Sequence, residues 1–327
     1  MGRIPHLCAE PMKILLVTPA PPRARNGNRI TALRWARILR QLGHRVAVAQ
    51  EYQQQRCDLL VALHARRSFF SVQRFCQRHP DRPLILALTG TDLYGDIHTD
   101  PQAQLALELA GRYIVLQPQG INELPQRLRH KARVIYQSVK PPPGEFTPRK
   151  DSFEVCVMGH LRPVKDPFRT ALATAYLPAS SRIQVLHAGA ALSPDMAAIA
   201  RTEIAANPRY RWLDGMPRWQ ALRLLARCRL LVLSSEMEGG ANVVSEALAC
   251  SVPVLSSHIS GSIGLLGADY PGYFPVGDTR ALAALLGRAE TDLSFYQALQ
   301  AWCAGLRSLV DPAHERQSWE KLLLELS

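Results

Sequence analysis

The sequence lacks the motifs of several enzyme classes. It has no D-x-D pair, so two carboxylates that would hold a magnesium or manganese ion on a diphosphate are not indicated. It has no G-x-S-x-G turn and no Walker A sequence, which argues against a serine hydrolase and a nucleotide hydrolase. The G-x-x-G-x-x-G spacing at Gly261–Gly267 is a weak dinucleotide signal, because no clear helix follows it. We therefore expect catalysis without a metal ion or cofactor.

Long apolar runs, closely paired cysteines and basic clusters are also missing. No stretch approaches the ~18 apolar residues of a membrane helix, and residues 1–11 lack the apolar core of a signal peptide. The seven cysteines include no C-x-x-C pair, which favours a reduced, cytoplasmic protein. The net charge of +12 comes from arginines spread over the chain. That distribution suits small anionic ligands and argues against nucleic acid as the partner.

Strands that alternate with helices predict parallel sheets. Strand-like segments such as 13–17, 59–63 and 153–158 are separated by helical patterns, as in doubly wound α/β domains. With 327 residues the chain is long enough for two such domains. We predict a first domain over residues 12–149, a second over 150–311 and a last helix over 312–327. Residues 1–11 precede the first predicted strand and are assigned to neither domain.

The stretch 234–255 carries the strongest functional signal. A buried strand leads into a glycine turn and an amphipathic helix, with Glu238 before the glycines and Glu246 on the helix. Ligands of open α/β sheets bind at the carboxyl ends of strands, and the N–H groups that begin the next helix attract an anion. A diphosphate fits there, with one glutamate accepting from a sugar ring and the other from a ribose diol. The alternative is a helix start without a ligand.

This stretch resembles the E-x7-E signature of the family 4 glycosyltransferases. Two departures are small: Ala241 or its neighbours stand in place of an aromatic residue, and Ser251 stands in place of a glycine. The resemblance implies the α/β GT-B fold, with two Rossmann-like domains facing a central cleft and the last helix crossing back to the first domain. It implies that the donor contacts are Glu246, Gly239, Gly240, Ala241, Asn242 and, from the turn 214–217, Met216.

A second segment follows the predicted strand 153–158. It reads G-H-L-R-P-V-K, and bases directly after a strand can neutralise a departing diphosphate. The family has G-R-L-x-x-x-K here, so the resemblance makes Lys165 the diphosphate lysine. His160 takes the place of the family's arginine, and Arg162 is its expected substitute. The predicted catalytic residues are Glu238, Lys165 and Arg162, with His160 a donor contact. A surface arginine and lysine without a role are the alternative.

Loops of the first domain carry the predicted acceptor residues. One lies before a predicted helix over 30–42, where Gly27 and Asn28 allow close approach of phosphate or sugar. The resemblance assigns these two to the donor, and a plain turn is the alternative. Two further loops follow strand ends and should line the same edge. The predicted acceptor contacts are Arg25, Arg29, His64, Arg66, Arg67, Thr91 and Asp92.

Segments along nearly the whole chain are similar to one branch of this family. PAPPRARNGNRITALRWA, LHARRS, LTGTDLYGD, GHLRPVKDP and EMEGGANVVSEAL resemble the selenosugar synthases of selenoneine biosynthesis. The resemblance implies a hexosyltransferase that joins selenophosphate to the sugar of a UDP-sugar, usually UDP-N-acetylglucosamine. It also implies a functional link to a selenophosphate synthase and a selenoneine synthase.

The first-domain arginines supply the cations that a phosphate-like acceptor needs. Three other readings stay open at this point. A conventional glycosyltransferase with a hydroxyl acceptor and a sugar-nucleotide epimerase would both share the fold and the donor site. A binding module without catalysis is the third, and the intact Glu238, Lys165 and Glu246 speak against it.

Overall fold

The computed structural model describes residues 10–23 and 27–326. These residues form two compact units: the first holds the described residues up to Gln137 and those from Ala313 onward, and the second spans Ser138–Pro312. Each unit contains one six-stranded sheet in which all strand pairs are parallel. Within the described ranges, no helix is long and apolar enough to cross a membrane.

The first unit alternates strands and helices. Its strands are β1 (Lys13–Val17), β2 (Arg45–Ala49), β3 (Leu59–Leu63), β4 (Leu84–Leu88), β5 (Arg112–Val115) and β6 (Ala132–Val134). Its helices in this part of the chain are α1 (Gly27–Gln41), α2 (Phe69–Arg78), α3 (Ile97–Thr99) and α4 (Pro101–Leu109). The strand order is β2-β1-β3-β4-β5-β6. The loops that follow β1, β3 and β4 therefore lie side by side at one edge.

The second unit repeats this plan. Its strands are β7 (Phe153–Met158), β8 (Ile183–Ala188), β9 (Tyr210–Trp212), β10 (Leu230–Leu233), β11 (Val254–Ser257) and β12 (Tyr273–Phe274). Its helices are α5 (Arg169–Ala173), α6 (Pro194–Ala206), α7 (Arg218–Arg227), α8 (Asn242–Ala249), α9 (Ser260–Leu266), α10 (Thr279–Thr291) and α11 (Leu293–Gly305). The order β12-β11-β10-β7-β8-β9 puts the loops after β7, β10 and β11 next to one another.

Apolar side chains cover both faces of the first sheet. Along β1, Leu15 and Val17 belong to one buried cluster, while Ile14 and Leu16 belong to another. Successive side chains of a strand point to opposite faces, so this division shows helices packed on both sides. Strands β3 and β4 are buried at every position, which explains their uniformly apolar sequences.

The last helix of the chain, α12 (Pro312–Leu324), packs on the first unit. Trp319, Leu322 and Leu323 are buried in the same cluster as Trp35 of α1, and the two indole rings meet edge to face at 5.1 Å. The buried Glu315 carboxylate accepts a hydrogen bond of 2.8 Å from the Trp35 indole N–H. The predicted return of this helix to the first domain is confirmed.

The structure differs from the sequence prediction near the first site loop. The predicted helix over 30–42 begins at Gly27, so Gly27 and Asn28 lie in the first turn of α1 rather than before it. N–H groups of a first turn have no partner within the helix, which makes this position tolerant of glycine. The expected loop after Thr91 instead forms one wide π-helical turn over Asp92–Asp96, followed by α3. Ser260–Leu266, where no helix was predicted, forms α9.

Candidate active site

Glu238 and Lys165 form an ion pair in the second unit. Lys165 ends a short 3-10 turn after β7, and Glu238 lies in the loop after β10. The Lys165 ammonium contacts Glu238 Oε1, and the Ser235 hydroxyl donates to the same oxygen at 2.8 Å. The Glu238 side chain is 12% exposed. Two of the predicted catalytic residues are thus brought together, because β7 and β10 are neighbours in the sheet.

Further hydrogen bonds join the two loops that carry this pair. The Ser234 hydroxyl donates to the carbonyls of Lys165 and Asp166, at 3.2 and 2.8 Å. The Glu236 backbone N–H donates to the Val164 carbonyl at 3.0 Å. Because both loops are fixed by backbone groups, the Lys165 ammonium and the Glu238 carboxylate are held in place independently of their own contact.

Gly261 is a site residue that sequence reasoning missed. It lies in the first turn of α9, and a Cβ added to it would come within 2.0 Å of the Glu238 carbonyl oxygen. Only glycine allows the start of α9 to approach the Glu238 backbone this closely. The glycine spacing in the sequence marked the position, but its meaning is close packing rather than dinucleotide binding.

Glu246 has a cationic partner that the sequence did not indicate. Its side chain is 5% exposed on α8, and its Oε1 lies 3.0 Å from Nε and 2.8 Å from Nη2 of Arg218. Arg218 begins α7, directly after the turn 214–217. A buried carboxylate needs such a partner, because an uncompensated charge would be costly. The 28 residues between the two leave no local signal of this contact.

The predicted glycine turn leads into α8. Ala241 is buried and takes the N-cap position in an extended conformation, with φ −67° and ψ 105°. Its methyl side chain cannot cap the helix, unlike the serine, threonine or aspartate that commonly does so. Gly239 is buried, and Gly240 and Asn242 are half-buried beside it. The turn therefore presents backbone rather than side chains at a helix start, which is the arrangement that suits a phosphate.

The remaining predicted residues of the second unit are less closely tied to the Glu238–Lys165 pair. The His160 ring accepts at Nδ1 from the Ala190 backbone N–H, 3.2 Å away. Arg162 is exposed and makes no side-chain hydrogen bond or ion pair to the part of the chain that the structure describes. Met216 is half-buried in the turn before α7. His160 thus supports its loop, while Arg162 is available to a ligand.

A buried histidine braces the base of the same loop. His187 of β8 lies 3.1 Å from the Gly159 carbonyl through Nε2 and 3.0 Å from the Tyr210 hydroxyl through Nδ1. A carbonyl only accepts, so Nε2 carries the proton and Nδ1 accepts from Tyr210. Burial lowers the pKa of His187 to about 4, against a smaller opposing effect of the Gly159 hydrogen bond. The ring is therefore neutral at pH 7.

In the first unit, His64 follows β3 and faces two acidic residues. Its backbone has φ 74°, in the left-handed region, and its ring is buried. Nδ1 accepts from the Arg67 backbone N–H at 3.4 Å, so the proton of the neutral ring lies on Nε2, 3.8 Å from Asp96 Oδ2. Burial lowers the pKa of His64, and the Asp92 charge opposes that shift. Asp96, which sequence reasoning did not assign, also lies 3.1 Å from Arg66 Nε.

Asp92 links two loops of the first unit. It is fully buried, and its two oxygens accept from the backbone N–H groups of Ala65 at 3.0 Å and Gly90 at 2.9 Å. These N–H groups belong to the loops after β3 and β4. Asp92, predicted as an acceptor contact, therefore holds these two loops together inside the unit. The neighbouring Arg66, Arg67 and Thr91 are exposed.

The start of α1 completes this edge. Asn28 Oδ1 accepts from the Thr89 hydroxyl at 2.7 Å, which connects α1 to the loop after β4. Gly27 is exposed, and Asn28 and Arg29 are half-buried. The predicted acceptor residue Arg25 lies outside the described residues. The first unit thus places Asn28, Arg29, Arg66 and Arg67 at one sheet edge.

Comparison with known proteins identifies a related sequence family. Residues 143–300, somewhat less than half of the chain, match the family model of glycosyl transferases group 1. No curated protein sequence matches the chain. The matched segment includes Lys165, Arg218, Glu238 and Glu246, so the geometry described above lies inside it.

Solved structures match almost the whole chain. Anabaena Alr3699/HepE in complex with UDP and glucose has a TM-score of 0.75 at 17% identity, covering 96% of this chain and all of that one (100%). Sucrose-phosphate synthase (tll1590) from Thermosynechococcus elongatus has a TM-score of 0.75 at 15% identity, covering 96% and 98%. A glycosyltransferase from Rickettsia africae ESF-5 has a TM-score of 0.70 at 12% identity, covering 97% and 99%. The chain has the GT-B fold, and the fold prediction is confirmed.

Proposed function

We propose that this protein is a glycosyltransferase that uses a UDP-sugar as its donor. The observation that carries the proposal is the shared use of Glu238 Oε1 by Lys165 and Ser235. Among the described residues the second oxygen of Glu238 has no such partner, so it is left to accept from a sugar hydroxyl. Lys165 has three N–H donors and uses one on Glu238. The other two can bind the diphosphate.

Glu246 and Arg218 supply the nucleoside side of the donor site in this proposal. The buried Glu246 accepts from the ribose diol, while the turn before α8 offers N–H groups to the phosphates. The match of residues 143–300 to glycosyl transferases group 1 supports this assignment. The similar Anabaena structure, determined with UDP and glucose, supports the choice of a uridine nucleotide.

Transfer breaks the bond between the anomeric carbon and the β-phosphate oxygen of the donor. The electron pair leaves with UDP, whose diphosphate gains negative charge in the transition state. Lys165 stabilises that charge, and Arg162, exposed on the same loop, adds a second cation. We propose that these side chains and the helix start take the role of a metal ion.

We further infer that the acceptor is selenophosphate, whose selenium forms the new bond to the sugar. Arg66 and Arg67 are exposed at the first unit's site edge, and Arg29 is half-buried there. A phosphate-like dianion needs such cations, because it must approach a donor that is already anionic. In this proposal the acceptor comes from a selenophosphate synthase. Water then cleaves the P–Se bond of the product and releases phosphate, and the selenosugar is passed on to a selenoneine synthase.

The test is incubation of the protein with UDP-N-acetylglucosamine and selenophosphate, followed by mass spectrometry. We expect equal amounts of UDP and a selenium-containing sugar, formed also in the presence of a metal chelator. Lys165→Ala should abolish turnover, and Arg37→Ala, an exposed charge change on α1, should not. Release of UDP with hydroxyl acceptors only would make the protein a conventional glycosyltransferase. The proposal is overturned if none of the UDP-sugars tested reacts.

A further inference from the structure

A second pocket lies at the opposite sheet edge of the first unit. Its volume is about 460 Å³, and its lining comes from the residues before β1, β3 and β4 and from the end of α2. In a parallel sheet, these amino ends of the strands lie away from the edge that carries His64 and Asp92. The pocket is therefore separate from the acceptor residues proposed above.

The pocket is lined mainly by cations. Lys13, Arg56, Arg78 and Arg82 all contribute to it, and His79 lies among them. Asp58 is the acidic residue of the lining, and its Oδ2 accepts from the Lys13 backbone N–H at 2.8 Å. The carboxylate is thus engaged by the main chain.

Among the described residues, no carboxylate neutralises these four cations. In the described part of the chain, none of the four has a carboxylate oxygen within 4 Å. Arg34, Arg66, Arg112, Arg127 and Arg133, by contrast, each pair with an acidic side chain. Like charges gathered in one concave space repel one another, and a bound anion would remove that cost.

Two residues before the pocket residue Gln54, a buried tyrosine hydroxyl also lacks a partner among the described residues. Tyr52 is fully buried, and its hydroxyl makes no hydrogen bond to any residue that the structure describes. Its ring packs edge to face on Phe75 of α2, at 5.5 Å. Burial raises the pKa of Tyr52, and the charges of Arg78 and Arg82 oppose this rise. An unpaired buried donor is costly.

We propose that this pocket binds a compact oxyanion with two or more phosphate groups. Guanidinium groups bind phosphate oxygens through paired N–H donors, and lysine adds a point charge. The concave shape favours a small molecule over an extended nucleic acid, which would follow a strip of charge along the surface. The site is independent of the donor and acceptor residues, so it stands or falls separately from the proposed glycosyltransferase.

Calorimetry with inorganic pyrophosphate tests the proposal on the full-length protein, and two double variants separate the pocket from the proposed donor site. Arg56→Ala/Arg78→Ala is the pocket variant, because neither side chain makes a hydrogen bond to the described residues and folding should be preserved. Arg37→Ala/Arg316→Ala removes the same charge from exposed positions of the same unit. We expect the pocket variant to bind about tenfold more weakly or worse, and the control to stay near wild type.

A second readout locates the anion. Partial burial and the charges of Arg82 and Arg78 lower the pKa of His79. A bound polyanion should raise the His79 pKa, which an NMR titration of the imidazole measures, and the pocket variant should not show this rise. Equal weakening in both double variants, or an unchanged His79 titration at saturating pyrophosphate, would overturn the proposal. Binding of an RNA oligonucleotide that the pocket variant loses, with no binding of pyrophosphate, would overturn it as well.

Discussion

The two units use their acidic residues in different ways at their site edges. In the second unit, Glu238 and Glu246 are each paired with one cation, Lys165 and Arg218, while the carboxylates stay at the site. In the first unit, Asp92 is buried and accepts from two backbone N–H groups, and the exposed side chains near it include the basic Arg66 and Arg67. In the proposed function, the edge of the second unit offers carboxylates to hydroxyl groups, and the edge of the first unit offers cations to an anion.

Among the changes considered, replacement of Asp92 should have the largest effect, and that effect should be confined to the first unit. Asp92→Ala leaves the buried N–H groups of Ala65 and Gly90 without acceptors, at about 1–3 kcal/mol each. We expect the first unit to lose roughly 2–6 kcal/mol of unfolding free energy, measured by urea denaturation. UDP binding to the second unit should persist wherever the protein remains folded. An unchanged stability with a raised Michaelis constant for selenophosphate would make Asp92 an acceptor ligand, as the sequence predicts.

His187 and His64 are buried in different units, and of these two only His64 faces carboxylates. The pKa of His187 is lowered from 6.5 to about 4, so the unfolded chain binds more protons between these values. The contribution of His187 to the unfolding free energy is therefore complete above about pH 6.5. It is lost as the pH falls towards 4, and the total loss is about 3 kcal/mol. Urea denaturation at several pH values should show this loss, and His187→Gln should remove it.

His64 serves as the matched control in the other unit. Burial lowers its pKa too, as do the charges of Arg67 and Arg66, but the charges of Asp92 and Asp96 act in the opposite direction. His64→Gln should therefore change the pH dependence of stability less than His187→Gln does. A larger effect of His64→Gln would mean that the charges of Asp92 and Asp96 do not raise the pKa of His64.

Glu246 tests the hydroxyl-binding side of the comparison. Glu246→Ala should weaken UDP binding by about 1.5–3 kcal/mol, because the ribose diol loses a charged acceptor. Glu236→Ala removes an exposed carboxylate from the neighbouring loop and should leave the affinity unchanged. Calorimetry with UDP compares the two. Equal affinities of the Glu246→Ala variant and wild type would contradict the ribose assignment.

Much of the fold is local enough to be predicted from the sequence. Strands such as β3 and β4 are uniformly apolar and bounded by turns, so their limits follow from composition. Glu238 and Lys165 lie in loops that follow strands, and Glu246 lies on the helix after the glycine turn. The parallel topology alone gathers such loops at one edge. Lys165 and Glu238 are 73 residues apart, yet both could be assigned before the structure was known.

The missed residues depend on contacts that no local pattern encodes. Arg218 meets Glu246 only because α7 and α8 pack in the second unit. Gly261 matters because the start of α9 approaches the Glu238 backbone, which requires the order of β10 and β11 in the sheet. The sequence alone assigns Asp92 to the acceptor, because only the folded loops show that backbone N–H groups donate to both of its oxygens.

The most direct measurement is steady-state kinetics of Arg66→Ala with each substrate varied in turn. Arg66 is 45% exposed beside Asp96, so its loss removes a cation from the first unit's edge and leaves the second unit unchanged. We expect a raised Michaelis constant for selenophosphate, an unchanged one for the UDP-sugar, and competition by thiophosphate against selenophosphate. Equal changes in both Michaelis constants would contradict the division of donor and acceptor between the two units.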